Sequence, residues 1–265
     1  MAIIAEPGVP IEQSARGGVG AAVFVQDQTT DLLDVPFLKE RTTTALASAT
    51  AIDDRVVNVD PGHGTTAGEV LEIAETGTKN FIQSRVLSVA TDAITIDQPV
   101  NRIYAEDEVV VIASDNMLVD GSVTPQVFSI LPLLGQKGDM VRIIVSITSS
   151  SSQDFSTFGS ANALTNGCVL RVKKADGTFK NIFNWKSNGD FIERAFDGQF
   201  LINNGNNVRA FFGRRTFGGQ SKNGVVIRLE GSLNEELQIV IQDDLTADVT
   251  NLTFRMHAQG HELQE

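Results

Sequence analysis

The chain has 265 residues, enough for one large domain or two smaller ones that bury their own cores without a metal or a disulfide. A composition of 42% hydrophobic and 20% charged residues excludes a disordered or collagen-like chain. The single cysteine, Cys168, excludes an internal disulfide and a cysteine-rich zinc site.

The net charge of −12 is concentrated in the first half of the chain. Residues 1–130 carry 7 Lys+Arg and 19 Asp+Glu, whereas residues 131–265 carry 14 of each. An acidic chain argues against binding to nucleic acid or to an anionic membrane. Two interpretations remain: the acidity keeps the protein soluble, or the first half faces a basic neighbour in an assembly.

The first residues, Met-Ala-Ile-Ile-Ala-Glu-Pro, have neither the basic segment nor the apolar core of a signal peptide. No later stretch reaches the length of apolar sequence that a membrane span needs. We therefore expect a soluble protein that is made in the cytosol.

Residues 1–50 differ from the rest of the chain in their glycines, prolines and Thr/Ala/Ser-rich run. They lack a periodic apolar pattern, which predicts an extended N-terminal arm that becomes ordered by lying on another surface. A flexible tail is the alternative.

Residues 51–115 contain five short β-prone runs, which begin at Val56, Val70, Arg85, Ala93 and Val109. Alternation within the runs, such as Ile94 and Ile96 flanking Thr95, is typical of half-buried strands. These residues are predicted to form a small β-barrel or sandwich module.

Residues 116–265 are predicted to form a second and larger β domain. Its strands are expected at Met140–Thr148, Cys168–Lys173, Phe179–Phe183, Gly224–Leu229, Leu237–Gln242 and Val249–Met256. Seven Asn-Gly or Asp-Gly pairs, typical of tight hairpin turns, begin at Asp120, Asn166, Asp176, Asn188, Asp197, Asn204 and Asn223. The predicted fold is all-β, with the small module followed by an antiparallel, jelly-roll-like β-sandwich.

The residues that could carry chemistry do not form a recognisable catalytic or cofactor pattern. His257 and His261 are four residues apart, but they follow an alternating strand pattern, and His63 lies in a Pro-Gly-His-Gly turn that we expect to be in solvent. Cys168 is expected to be a buried core thiol. No catalytic residue, cofactor site or metal site is predicted.

Four acid pairs suggest a glycosidase, which uses two carboxylates. They are Asp53-Asp54, Asp107-Glu108, Glu235-Glu236 and Asp243-Asp244. Adjacent residues of a strand point to opposite faces, so these pairs are interpreted as solvated acids in turns.

One cluster combines basic and aromatic residues: Arg209, Phe211, Phe212, Arg214, Arg215 and Phe217. Stacking on nucleic acid or sugar is one use of such a cluster. The overall acidity favours cation–π contacts and ion pairs inside an assembly interface, so these six residues are the candidate interface.

Several motifs resemble those of poorly characterised structural proteins from the virions of tailed bacteriophages. They include residues 81–86 and 93–100, Asn116-Met-Leu-Val-Asp-Gly-Ser-Val-Thr-Pro125, residues 184–190 and 214–224, Leu237–Leu245 and Ala258–His261. The similarity runs from about residue 50 to the end. It implies a building block without enzymatic activity, located in the virion and assembled in the host bacterial cytoplasm.

The resemblance leaves the position in the particle open. A tail or neck component, such as a collar, ring or baseplate protein, is the first hypothesis, and a capsid decoration or auxiliary head protein is the second. The third hypothesis is a receptor- or glycan-binding module at the tail tip, and the fourth is a hydrolase. The expected partners are further copies of the chain, in a homo-oligomer, and other tail, neck or major capsid proteins, with no nucleic acid and no membrane.

Overall fold

The structure is a computed structural model. It describes residues 25–27, 32–76, 81–132, 136–148, 156–158, 162–190, 201–203, 207–212, 227–246 and 253–264. Within strands, the side chains of residues 25–34, 81, 136, 201–212 and 261–264 lie outside this description.

Seventeen strands, paired antiparallel throughout, form three sheets in the described residues. The six-stranded sheet contains β3 (Lys39–Ala45), β4 (Val56–Asn58), β5 (Val70–Ala74), β6 (Phe81–Ala90), β7 (Ala93–Ile96) and β8 (Val109–Ser114). The four-stranded sheet contains β9 (Gln126–Ile130), β11 (Cys168–Lys173), β12 (Phe179–Trp185) and β16 (Glu236–Ile241). The seven-stranded sheet contains β1 (Val25–Asp27), β2 (Leu32–Pro36), β10 (Gln136–Thr148), β13 (Leu201–Asn203), β14 (Asn207–Phe212), β15 (Ile227–Glu230) and β17 (Thr253–Gln264).

The six-stranded sheet closes on itself into a small barrel. Its strand order is β3-β8-β5-β6-β7-β4, and a bridge between Leu46 and Val59 joins the two ends of the order. Alternate residues such as Leu71 and Ile73 of β5 point into its apolar interior, together with Tyr104. The five predicted runs correspond to β4–β8, so this module is the small barrel that the alternation of the sequence indicated.

The other two sheets pack face to face as a sandwich with a common apolar core. In β11, Cys168, Leu170 and Val172 are buried and alternate with less buried residues. They share the core with Phe254 and Met256 from β17 of the opposite sheet. The predicted all-β fold with an antiparallel sandwich is therefore confirmed.

Three described strands, β1, β2 and β3, arise from the stretch predicted as an N-terminal arm. β2 pairs with β17 of the sandwich, and β3 pairs with β8 of the barrel. Residues 32–45 therefore contribute one strand to each body. β3 was not predicted because its Lys-Glu-Arg-Thr-Thr-Thr-Ala run has no apolar alternation. It is a strand because β8, which is distant in the chain, pairs with it.

The Asn-Gly and Asp-Gly pairs have different roles, contrary to the prediction that all mark hairpin turns. Asp176-Gly177 forms the β11–β12 hairpin, with Gly177 at φ +81°. Gly121 instead allows a close backbone approach, because a Cβ atom there would lie 2.2 Å from the Ile241 carbonyl oxygen. The pairs at Asp197, Asn204 and Asn223 include residues outside the description.

Candidate functional site

A cleft of about 420 Å³ lies where the barrel meets the sandwich. Strand β3 and the 66–69 turn supply the barrel side, β9 and β17 supply the sandwich side, and the connecting segment 114–119 lies between them. Its charged lining residues are Lys39, Glu40, Arg41, Glu69, Asp115 and Arg255.

Arg41 and Glu69 form a bidentate ion pair in the wall of the cleft. Arg41 Nε donates to Glu69 Oε1 over 2.5 Å and Nη2 donates to Oε2 over 3.1 Å. Nη2 also donates to the Gly64 carbonyl oxygen over 2.7 Å, and the Thr66 N–H donates to Glu69 Oε2 over 2.7 Å. Because this geometry satisfies both charged groups, the pair holds the 63–69 turn against β3.

Asp115 connects the two bodies through its buried carboxylate. Arg85 of the barrel donates to Asp115 Oδ2 from Nη2 over 2.9 Å, and Nε of Arg255, on the sandwich strand β17, lies 3.7 Å from the same oxygen. Arg85 Nη1 also donates to the Gly68 carbonyl oxygen. Two cations from different bodies therefore share one buried anion, an arrangement that fixes the barrel on the sandwich.

Two acids of the cleft, Glu69 and Asp115, have fixed ion-pair partners. Glu69 is held by Arg41 and a backbone N–H, and Asp115 by two arginines. The ion pairs of Asp115 connect the barrel to the sandwich. The expectation that the chain is not an enzyme stays a prediction.

His63 is buried, so its prediction as a solvent-exposed turn residue is wrong. Only 6% of its surface is exposed. Its Nδ1 accepts a hydrogen bond from the Thr65 N–H over 3.0 Å, and its Nε2 lies 3.2 Å from the Thr91 carbonyl oxygen. Because Nδ1 accepts, Nε2 carries the proton and donates to Thr91. The ring joins the 61–66 turn to the β6–β7 hairpin.

His257 and His261 both lie on β17, opposite Ile144 and Asp139 of β10. The side chain of His261 is outside the description, so the structure does not test whether the two histidines bind a metal together. Elsewhere, the described residues contain no group of three or more His, Cys, Asp or Glu side chains that could hold a metal ion.

The two members of the Asp243-Asp244 pair have different hydrogen-bond partners. Asp243 accepts hydrogen bonds from the backbone N–H groups of Thr165, Asn166 and Gly167, at 2.6–3.2 Å. Its neighbour Asp244 instead accepts from Thr246.

In the Glu235-Glu236 pair too, the two members have different partners. Glu235 pairs with Lys174 over 3.0 Å and Glu236 with Lys173 over 2.6 Å. Asp54 accepts from the Ala51 N–H, and Glu108 from Thr76. Because Glu235 is buried and ion-paired, the interpretation as a solvated turn acid is wrong for that residue.

Cys168 is a buried thiol in the sandwich core, as predicted. Burial raises its pKa well above the usual value, and the charge of Asp243 adds to this effect. A thiol with a raised pKa is a poor nucleophile at neutral pH.

Glu72 is a buried acid that the sequence analysis did not single out. It lies on β5, opposite Gln83 of β6 and Val111 of β8. Burial raises its pKa to about 8, and a hydrogen bond with the Gln83 side chain opposes part of this shift. A glutamate within the buried Val-Leu-Glu-Ile-Ala strand was the available sequence signal.

The predicted interface residues fall mostly outside the description. Arg209, Phe211 and Phe212 lie on β14, between β10 and β13, and their side chains are not described. Arg214, Arg215 and Phe217 belong to residues 213–226, which the structure leaves out. Their role as an interface stays a prediction.

Four exposed apolar residues form a surface at one end of the barrel, which we call the barrel-end patch: Ile52, Val56, Leu87 and Ile103. They are between 50% and 66% exposed. Val56 begins β4. Leu87 occupies a bulge of β6, because its neighbours Val86 and Ser88 pair with Ile96 and Thr95. On the outer face of β6-β7-β4, Thr95 lies between Leu87 and Val56.

Ile52 and Ile103 are carried by two loop segments that lie side by side at the same end. The Thr50 N–H donates to the Tyr104 carbonyl oxygen over 3.0 Å, and the Asp53 N–H donates to the Val100 carbonyl oxygen over 2.7 Å. These segments lead into β4 and out of β7. Sequence alone could not identify the patch, because the same strands place equally apolar residues inside the barrel.

No helix in the part of the chain that the structure describes is long and apolar enough to cross a membrane.

Comparisons with known proteins give little guidance. No family model matches the chain, and no curated protein matches it. Among solved structures, the chain is similar to one from the atomic structure of Sulfolobus Turreted Icosahedral Virus, with 9% identity, a TM-score of 0.29 and coverage of 95% of this chain and 88% of the other. This is a weak likeness to a viral chain. At that TM-score it carries no argument about fold or role, and the link to tailed bacteriophages stays a prediction.

Proposed function

We propose that the chain is a non-enzymatic structural protein of a tailed-bacteriophage virion, most specifically a collar, ring or baseplate component of the tail or neck. The motifs between residues 116 and 261 that resemble phage structural proteins suggest the class of protein. The open edge of strand β12 supports a role in assembly.

β12 pairs with β11 on one side, and among the described strands it has no partner on the other. Such an edge presents backbone N–H and C=O groups that a strand of another subunit can bind. Phe179, at the start of β12, is half exposed, and the Arg171 guanidinium stacks over its ring at 3.9 Å. The edge therefore offers both backbone pairing and a rigid aromatic contact.

The number of copies per particle tests this proposal. Quantitative mass spectrometry of purified virions, with the major capsid protein as internal standard, is expected to give about six or twelve copies, because tail and neck components follow the symmetry of the tail axis.

Hundreds of copies would contradict the tail or neck position and support a capsid decoration protein. Absence from washed particles would contradict a virion role altogether. Electron microscopy of particles labelled with an antibody against the chain gives an independent position: label at the head–tail junction or baseplate is expected, and label over the shell would overturn the assignment.

A further inference from the structure

We propose that the barrel-end patch binds a basic, apolar surface of a different protein of the same particle. This inference rests on the proposed function in one respect, because it takes the partner from the virion. It adds the surface through which the chain is held and the chemistry of the protein that binds there.

Hydrogen-bonded backbone carries the patch. Three of its four residues lie on segments 50–57 and 94–104, which run antiparallel and exchange backbone hydrogen bonds of 2.7–3.0 Å before they continue as the paired strands β4 and β7. The fourth, Leu87, lies on β6, the other neighbour of β7. Segments that are fixed in this way lose little conformational entropy when a partner binds.

The apolar side chains of the patch are exposed although the barrel beneath them is well packed. Ile52 is 59% exposed and Ile103 is 66% exposed. Val57 and Ile94, on the same two segments, are fully buried in the barrel interior. Large apolar side chains grouped on a rigid surface and surrounded by polar residues are typical of protein interfaces.

The surroundings of the patch carry an excess of negative charge. Segments 50–56 and 97–108 contain six Asp or Glu and two Arg. Asp53 follows Ile52 directly, and Asp97 follows the last residue of β7. Both acids are exposed, and neither has an ion-pair partner among the residues that the structure describes.

The two arginines of these segments already have acceptors within the barrel. Arg102 Nη1 lies 3.8 Å from Glu75 Oε2, and Arg55 Nη1 donates to the backbone oxygen of Asp97. The remaining negative charge repels a second patch of the same kind and an anionic membrane, and it attracts cations. The complementary surface therefore has apolar side chains at its centre and Lys or Arg at its edge.

A protein fits the patch better than a small molecule does. Small ligands bind in concave cavities that bury most of their surface. The patch lies on the outside of the barrel, and the cleft between barrel and sandwich is lined by none of its four residues. Only a surface as extended as the patch itself can cover all four side chains together.

Photo-crosslinking within assembled particles identifies the partner. A benzophenone amino acid takes the place of Ile103, the particles are irradiated, and mass spectrometry identifies the linked peptides. We expect a link to a different virion protein, within a segment that has more Lys and Arg than Asp and Glu. The same amino acid in place of Val123, which is 89% exposed and lies outside the barrel, is the control and should not link to that segment.

The linked protein, once purified, is the probe for the apolar part of the contact. Ile52→Ser/Ile103→Ser should weaken its binding at least about tenfold, because a few buried side chains at the centre of an interface carry most of the affinity. Val123→Ser is the matched control and should bind as the unchanged protein does. Isothermal titration calorimetry measures the affinities, and circular dichroism verifies that each variant is folded.

The same probe tests the charged part. Asp53→Asn/Asp97→Asn is expected to weaken binding and to make it less sensitive to salt, because it removes two attractive charges. Asp176→Asn/Asp244→Asn removes the same charge from two exposed turns of the sandwich, where asparagine can make the same turn hydrogen bonds. This control should change neither the affinity nor its salt dependence.

The outcomes separate this inference from the proposed function. A link from position 103 to another copy of the chain, or to a segment rich in Asp and Glu, would overturn the inference. Particles that contain the chain but give no link at position 103 would also overturn it, while leaving the virion role in place. Serine variants that bind the linked protein as tightly as the unchanged chain would show that the patch is not the contact. Absence of the chain from washed particles would overturn the proposed function and this partner with it.

Discussion

Glu72 shows how a single residue makes stability depend on pH. Its pKa rises from the usual 4.5 to about 8 because burial in the β5–β8–β6 region disfavours the carboxylate. In the unfolded chain the residue ionises near pH 4.5, whereas in the folded protein it keeps its proton until about pH 8. The folded state is therefore most favoured below pH 4.5 and loses stability from there up to about pH 8.

Glu72→Gln should remove this pH dependence. We expect the variant to be more stable than the unchanged protein at pH 8, by on the order of 4 kcal/mol, and to have similar stability at pH 4.5. Urea unfolding at both pH values measures the difference. Glu106→Gln, which changes an exposed acid, is the control and should leave the pH dependence unaltered. Equal pH dependence in the Glu72 variant and the unchanged protein would contradict the buried-acid interpretation.

Asp243 acts at the scale of elements, because it fixes the start of β11. Its carboxylate accepts hydrogen bonds from three consecutive backbone N–H groups, at residues 165–167, and Gly167 beside them adopts φ +91°. A Cβ atom at Gly167 would lie 2.3 Å from Asn184 Oδ1. The Asp243 carboxylate thus stabilises the turn. The turn also requires glycine at position 167, because a side chain there would collide with Asn184.

Asp243→Ala should destabilise the fold by about 2 kcal/mol, because it leaves these backbone N–H groups without their acceptor. Asp244→Ala is the matched comparison, since among the described residues Asp244 accepts from Thr246 within its own turn, and its cost should stay below about 1 kcal/mol. Thermal and urea unfolding of both variants measure the difference. Equal losses would show that the Asp243 contacts do not stabilise β11.

At the scale of the whole molecule, the barrel and the sandwich are joined by apolar packing and by charge. Val70 and Ala113 of the barrel pack with the sandwich core, and Asp115 pairs with Arg85 and Arg255 from the two bodies. Bodies that share core residues and a buried ion pair are expected to unfold in one cooperative transition.

Asp115→Ala should separate that transition into two. Removing the shared anion leaves two partly exposed arginines facing each other, at an expected cost of about 2 kcal/mol. Differential scanning calorimetry is the measurement. Glu75→Ala is the control, because its contact with Arg102 lies within the barrel and should lower stability without dividing the transition. A single, merely shifted peak for the Asp115 variant would contradict the coupling.

The sequence by itself determined the all-β class, five of the six strands of the barrel and the burial of Cys168. Those features depend on local patterns: the alternation in runs such as 93–96, and an apolar context around the cysteine. Period-two alternation places one face of a strand toward a core whatever the neighbouring strands are, so it can be read without knowledge of the fold.

The tertiary structure alone decided which strands pair and which surfaces remain exposed. β2 is a strand because β17, from the other end of the chain, lies beside it, and His63 is buried because the β6–β7 hairpin covers its turn. Each outcome depends on contacts between residues distant in sequence, and local composition does not encode such contacts.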